Sequence, residues 1–137
     1  MFRLRKGILD NHTILSSTSK NTHLLEIQAK MPPEAHLQTL VDIFASLADP
    51  TRAKIIFALS QQPLCVGDLA LLAGVSESAV SHQMRLLKDR RLVSAQRKGA
   101  RVIYALAQQH LAALFREAEY TADHLVHQIP DHPYSLP

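Results

Sequence analysis

The segment that most constrains the fold is 68–88, DLALLAGVSESAVSHQMRLLK. Its first half is a short apolar run that ends at Gly74, and glycine commonly closes a helix in the left-handed conformation. Ser76 follows two residues later and is a preferred helix N-cap. The next apolar positions, at helical spacing, are Val80, Met84 and Leu87. This pattern predicts a short helix, a three-residue turn and a second helix over about 77–90.

The flanking sequence predicts elements on both sides of this helix pair. Upstream, one helix runs from Glu34 through Leu47, and a second begins at Pro50 with Asp49 as its cap. The short first helix of the pair is placed at about 66–73. Downstream of the pair, the predicted elements are strands at 92–97 and 101–106 around a Lys98-Gly99-Ala100 tip, and a last helix over about 108–128. This order predicts a mainly α fold with a small β-hairpin, the winged helix-turn-helix.

The domain organisation follows from composition. Residues 1–31 are rich in Ser, Thr, Asn and Lys, and we interpret them as an N-terminal arm with a short helix near 24–29. The domain is expected at 32–128, and a tail at 129–137. No apolar run reaches the roughly 18 residues of a membrane span, so no membrane partner is expected and the predicted location is cytoplasmic. Neither an HExxH nor a GxSxG motif is present, so no enzyme is predicted.

Positive charge is concentrated in residues 82–101, which hold seven Lys or Arg residues and one acid, a net charge of +6. Such a concentration indicates a polyanionic partner, here double-stranded DNA. On the second helix of the turn, the side chains expected to reach base edges are Ser78, Ser81, His82 and Gln83. The expected phosphate contacts are Arg85 on the same helix and Arg97, Lys98 and Arg101 in the hairpin.

The strings LADPTRAKIIFAL and LCVGDLALLAGVSESAVSHQMRLLKDRRLVSAQRKGARVIYAL resemble the ArsR/SmtB family of metal-sensing repressors, and its zinc-sensing SmtB branch in particular. The resemblance covers about residues 34–128. It implies a homodimer, joined through its first and last helices, that binds an inverted-repeat operator without metal and is released by metal. The length of the apolar stripe on the last helix agrees with a dimer interface there, with Leu111, Leu114, Phe115 and Leu125 packing against the second subunit.

The resemblance implies a first metal site on the last helix, with ligands from two subunits. His110 matches the first ligand pair, but Gln108 replaces the expected carboxylate. The second pair falls on Thr121 and His124 without a gap, or on His124 and His127 with a three-residue insertion. His110 and His124 share a helix face, since 14 residues at about 100° each leave them about 40° apart. Asp123 points elsewhere and is expected to fix the tautomer of a histidine.

The resemblance implies a second, weaker site at Cys65 and Asp68, completed by residues of the arm of the other subunit. The arm has no cysteine, so His23 is the expected arm ligand, with His12 as the alternative. For Cys65, a buried apolar role is an equal alternative. Imidazole with a carboxylate or one thiolate suits zinc, and cobalt or nickel also fits. The other function considered is a winged-helix repressor with a non-metal or redox inducer acting through Cys65.

Overall fold

The computed structural model describes residues 21–130, and the chain divides into two compact units, Met1–Leu40 and Val41–Pro137. The helices are α1 (Thr22–Lys30), α2 (Glu34–Leu47), α3 (Pro50–Gln61), α4 (Val66–Ala73), α5 (Glu77–Asp89) and α6 (Gln109–His127). The strands are β1 (Leu64–Cys65), β2 (Val93–Lys98) and β3 (Arg101–Leu106). None of the helices within residues 21–130 is long and apolar enough to cross a membrane.

The first unit contains the helix that was expected within the arm. α1 extends this helix to nine residues, and none of its side chains is buried. Leu24, Leu25 and Ile27 are all exposed.

The helix pair α4 and α5 forms as the sequence predicts. Gly74 ends α4 with φ 70°, and its amide donates to the carbonyl of Ala70 at 2.9 Å. The Ser76 hydroxyl accepts a hydrogen bond from the amide of Ala79 at 3.1 Å and so caps α5. An L-residue rarely adopts the positive φ of Gly74 without strain, whereas glycine does so readily. Gly74, which ends α4, and Ser76, which caps α5, therefore define the two ends of the turn.

The sheet has one strand more than predicted. β2 and β3 form the expected antiparallel hairpin, with Lys98 opposite Arg101 and a turn at Gly99, where φ is 64°. The two-residue β1 pairs with the other side of β3, which gives the order β1-β3-β2. A strand this short has no period-2 pattern of its own, so only its pairing with β3 reveals it.

The hydrophobic core lies in the second unit and is built around α3, α4 and α5. The three predicted inward residues of α5 are buried at 0–1% exposure. On α3, Ile55, Ile56 and Leu59 are buried, whereas Phe57 is exposed. The largest fully buried side chains are Ile55, Ile56, Leu69, Met84, Leu87 and Val80.

One expectation for α6 is wrong. Leu111 is only 4% exposed because it belongs to this core, so it is not available to a second subunit. Leu114 and Phe115 are partly buried against the same core. In contrast, Leu125 is 76% exposed. The apolar stripe on α6 therefore serves the core of its own chain in the first half of the helix and leaves the second half uncovered.

Candidate DNA-binding surface and metal ligands

Helix α5 is the recognition helix, the one expected to enter a DNA groove. Its outer face carries the short polar side chains expected to contact the bases. Ser78, Ser81 and His82 are exposed, as is Arg85 further along. The opposite face holds the buried Val80 and its apolar neighbours, which fix the helix to the core. The face available to a DNA groove is thus small and polar at its N-terminal end and basic beyond it.

Gln83 has different surroundings from the other predicted base-reading residues. It is only partly exposed, and its Oε1 accepts a hydrogen bond from an Nη1 of Arg52 at 3.1 Å. Arg52 lies in the first turn of α3 and also donates from Nε to the carbonyl of Ser46 at 2.6 Å. Arg52 was not among the predicted site residues, because nothing in its local sequence identifies a partner 31 residues away.

The wing formed by β2 and β3 carries three exposed basic residues. Arg97 and Lys98 end β2, and Arg101 begins β3 directly opposite Lys98. The tight turn at Gly99 brings these side chains close together at one end of the hairpin. Three positive charges at the tip of a hairpin form a surface suited to phosphate groups.

Cys65 and Asp68 are brought together at the start of α4. The Sγ of Cys65 lies 3.1 Å from the Oδ2 of Asp68, a thiol donating to a carboxylate. Both residues line an open cavity of about 810 Å³, which Glu77, Ser81 and Arg101 also line. A thiol and a carboxylate at this distance could act together on one ion. The expected partner His23 lies exposed on α1, in the first unit, and His12 lies outside the described residues.

The histidines of α6 stand at its two ends. His110 is exposed in the first turn, whereas His124 and His127 occupy the last. At about 1.5 Å per residue, the 14 residues from His110 to His124 span about 21 Å. These two imidazoles of one chain therefore cannot ligate the same ion. Within residues 21–130, no three His, Cys, Asp or Glu side chains of one chain form a group that could hold a metal.

The two C-terminal histidines have defined ring orientations. The Nδ1 of His124 lies 2.9 Å from the carbonyl of Tyr120, and its ring packs against the Tyr120 ring with centroids 4.3 Å apart. The Nδ1 of His127 lies 2.8 Å from a carboxylate oxygen of Asp123. Since carbonyl and carboxylate oxygens only accept, Nδ1 carries the proton in both rings and the lone pair of the neutral ring is on Nε2. The predicted contact between Asp123 and a histidine is confirmed.

Two helices joined by a short turn, the second with a polar exposed face, and a basic β-hairpin directly after them define the class of winged helix-turn-helix DNA-binding proteins. A family profile described as "Bacterial regulatory protein, arsR family" matches residues 49–95. The "Transcriptional repressor SmtB homolog" of Synechocystis sp. is 45% identical over 106 residues, covering 75% of this chain and 78% of that protein. The chain therefore belongs to the ArsR family, and the predicted resemblance to ArsR/SmtB regulators is confirmed.

Solved structures agree with this assignment. The AntR antimony-specific transcriptional repressor is 29% identical with a TM-score of 0.64, covering 69% of this chain and 86% of that chain. A homodimeric winged helix-turn-helix domain of Mb0332 from Mycobacterium bovis, a possible ArsR-family regulator, covers 86% of this chain and 99% of its own. It has a TM-score of 0.63 at 24% identity, a likeness of fold. The family profile and the SmtB homolog are those of transcriptional regulators, so the protein is a DNA-binding regulator and not an enzyme.

Proposed function

We propose that this protein is a metal-responsive transcriptional repressor, with zinc as its effector, that binds an inverted-repeat operator as a homodimer and is released by metal. The observation that carries the proposal is the last turn of α6. There, two histidines with protonated Nδ1 atoms lie beside the strongly exposed Leu125 and Val126. Metal-ligating histidines characteristically donate their other ring nitrogen to a carbonyl or carboxylate in this way.

The uncovered apolar surface supports the dimer. Val41 and Phe44 on α2 are each about half exposed, and Leu125 and Val126 on α6 are about three-quarters exposed. Exposed apolar surface on two helices is typical of a subunit interface. A two-fold dimer presents two recognition helices to two half-sites of opposite direction, which is why its operator would be an inverted repeat. Operator binding also implies a cytoplasmic location.

The proposed metal site combines His110 of one subunit with the C-terminal histidines of the other, His124 and His127. The helix length supports this division, because the ligands of one chain are too far apart to share an ion. Zinc favours imidazole ligands in tetrahedral sites, and cobalt or nickel would also suit them. Ligands drawn from two subunits fix the angle between them, and with it the spacing of the recognition helices. Operator affinity falls if that spacing differs from the one DNA requires.

Cys65, Asp68 and His23 form the proposed second, weaker site. The 3.1 Å contact between the thiol and the carboxylate supports a joint role for the first two residues. The arm residue His23 would come from the partner subunit. We expect this site to modify the metal response rather than to generate it.

The test is a gel shift with the duplex that the wild-type protein selects from random-sequence DNA. We expect an inverted repeat to be selected, and zinc to lower its affinity by about 5- to 150-fold, the usual range of allosteric coupling. A chelator should restore binding. Selective binding without any effect of zinc, cobalt or nickel would leave a repressor with a different inducer. In that case, release by an oxidant that Cys65→Ser abolishes would support the redox alternative.

A further inference from the structure

Arg52 connects three helical segments of the second unit. Its amide is capped by the Oδ2 of Asp49 at 2.9 Å, which anchors it in the first turn of α3. Its Nε donates to the carbonyl of Ser46, near the end of α2, and its Nη1 donates to the Oε1 of Gln83 on the recognition helix. One partly buried guanidinium thus joins the α2–α3 junction to the helix expected to enter the DNA groove.

Gln83 lies beside the buried face of the recognition helix rather than at the centre of its polar face. At about 100° per residue, it is about 60° around the helix from the buried Val80 and about 140° from the exposed Ser78. Its partial burial agrees with this position. A guanidinium can only donate hydrogen bonds, so the amide oxygen of Gln83 must face Arg52. In this orientation the amide oxygen of Gln83 faces Arg52 and not the DNA groove, whereas recognition of adenine would require Gln83 to present both its oxygen and its nitrogen to the base.

A second arginine joins the other end of the recognition helix to α2. An Nη1 of Arg90, the C-cap residue of that helix, lies 3.4 Å from the carbonyl of Asp42 and 3.7 Å from its carboxylate. Between the two arginines is a cavity of about 120 Å³, which Ser46 and Leu86 also line. The recognition helix is thus held to the α2–α3 segment by side-chain contacts at two points along its length, Gln83 with Arg52 and Arg90 with Asp42.

We propose that Arg52 and Gln83 form a clasp that positions the recognition helix, and that Gln83 is a positioning residue instead of a base-reading one. The clasp sets the angle of the helix relative to the α2–α3 junction, so it governs how well Ser78, Ser81 and His82 reach the bases. The inference rests on the proposed operator binding. On this inference, the exposed residues determine which base pairs are preferred, whereas the clasp raises the affinity for all DNA sequences by the same factor.

The test compares Gln83→Met and Arg52→Met with wild type on the duplex selected above and on all its single-base variants. Methionine keeps the length of each side chain but forms no strong hydrogen bond. We expect each change to weaken binding about tenfold, equivalent to about 1.4 kcal/mol. The factor should be the same for every base variant, and the dependence on salt should not change because no phosphate contact is lost. Gln83→Met should have no further effect in the Arg52→Met background.

Gln83→Glu is the rescue variant. A carboxylate still accepts from Arg52, so the clasp predicts operator affinity close to that of wild type. The control is Gln61→Met, a change of the same kind at an exposed glutamine at the end of α3, which should leave binding unaltered. Thermal unfolding of each variant shows whether it is folded. If Gln83→Met does not fold, the operator affinity of Gln83→Glu still tests whether Gln83 acts as an acceptor for Arg52.

Two results would overturn the inference. One is loss of discrimination at a single base pair in Gln83→Met, which indicates that Gln83 contacts DNA directly. The other is a loss of binding in Gln83→Glu as large as that in Gln83→Met and not reduced by high salt, because repulsion between the new carboxylate and the phosphates would be screened by salt. Failure of the wild-type protein to select any sequence would instead refute the proposed operator binding, so the two failures can be told apart.

Discussion

At the residue scale, the recognition helix separates its functions by position around one helix. The hydroxyl groups of Ser78 and Ser81 are exposed, whereas Val80 between them is fully buried. Short side chains at the exposed positions allow the helix backbone to approach the floor of a major groove. The nearby Arg85 is longer, and its reach suits the phosphates on the groove edge.

Ser81→Ala should remove one base contact while leaving the fold intact. We expect a loss of about 1–3 kcal/mol of operator affinity, with reduced discrimination at one base pair. The matched change in the wing, Lys98→Ala, should weaken binding to all sequences alike and reduce the salt slope by about one. Affinities measured on specific and unrelated duplexes at several salt concentrations distinguish the two effects. Identical behaviour of the two variants would exclude this division of roles.

At the element scale, the turn between α4 and α5 depends on the backbone conformation of one residue. Gly74 has φ 70°, and a Cβ placed there would meet nothing within 4 Å. Gly74→Ala should therefore destabilise the protein by backbone strain alone, by about 1–2 kcal/mol. Gly74→Asn should cost less, because asparagine tolerates the left-handed region better. Urea unfolding of both variants measures the difference, and equal losses would point to a cause other than φ.

Helix α6 serves two purposes along its length. Its first half packs on the core through Leu111, and its second half exposes Leu125. We expect Leu125→Glu to yield folded monomers that do not bind the operator, since one domain holds a single half-site. The control is Leu71→Glu, which alters a leucine on α4 that is at least as exposed as Leu125, and this variant should remain dimeric. Sedimentation and circular dichroism provide the measurements; an intact dimer in Leu125→Glu would remove this half of α6 from the interface.

At the scale of the whole molecule, the proposed metal response depends on residues contributed by two chains. His110→Ala and His124→Ala should each abolish release by zinc while leaving metal-free operator binding unchanged, because each removes an expected imidazole ligand and neither residue belongs to the recognition helix or the wing. Cys65→Ser should alter the response less. Zinc titration of operator-bound wild type and the three variants tests whether the site on α6 contributes more to the response than the site at Cys65. Loss of the response in Cys65→Ser alone would identify the arm site as the sensor.

Most of the fold could be predicted from the sequence, because its signals are local. Asp49 caps α3, Ser76 caps α5, and Gly74 ends α4, each within one turn of the residues that identify it. The same holds for the exposed polar residues of the recognition helix, which follow from the helical period. For the candidate metal ligands, the sequence predicted that Asp123 would contact a histidine, and the structure decided that this histidine is His127.

The sequence by itself determined where the helices and the two hairpin strands lie, to within about two residues at each end, since capping, glycine conformation and apolar periodicity act over a few residues. The tertiary structure alone decided which partners distant residues take. It paired β1 with β3, directed Leu111 into the core of its own chain, and joined Arg52 to Gln83 across 31 residues. The reason is physical: a side chain's partner depends on which segments pack against it, and packing is set by the whole core rather than by its neighbours in sequence.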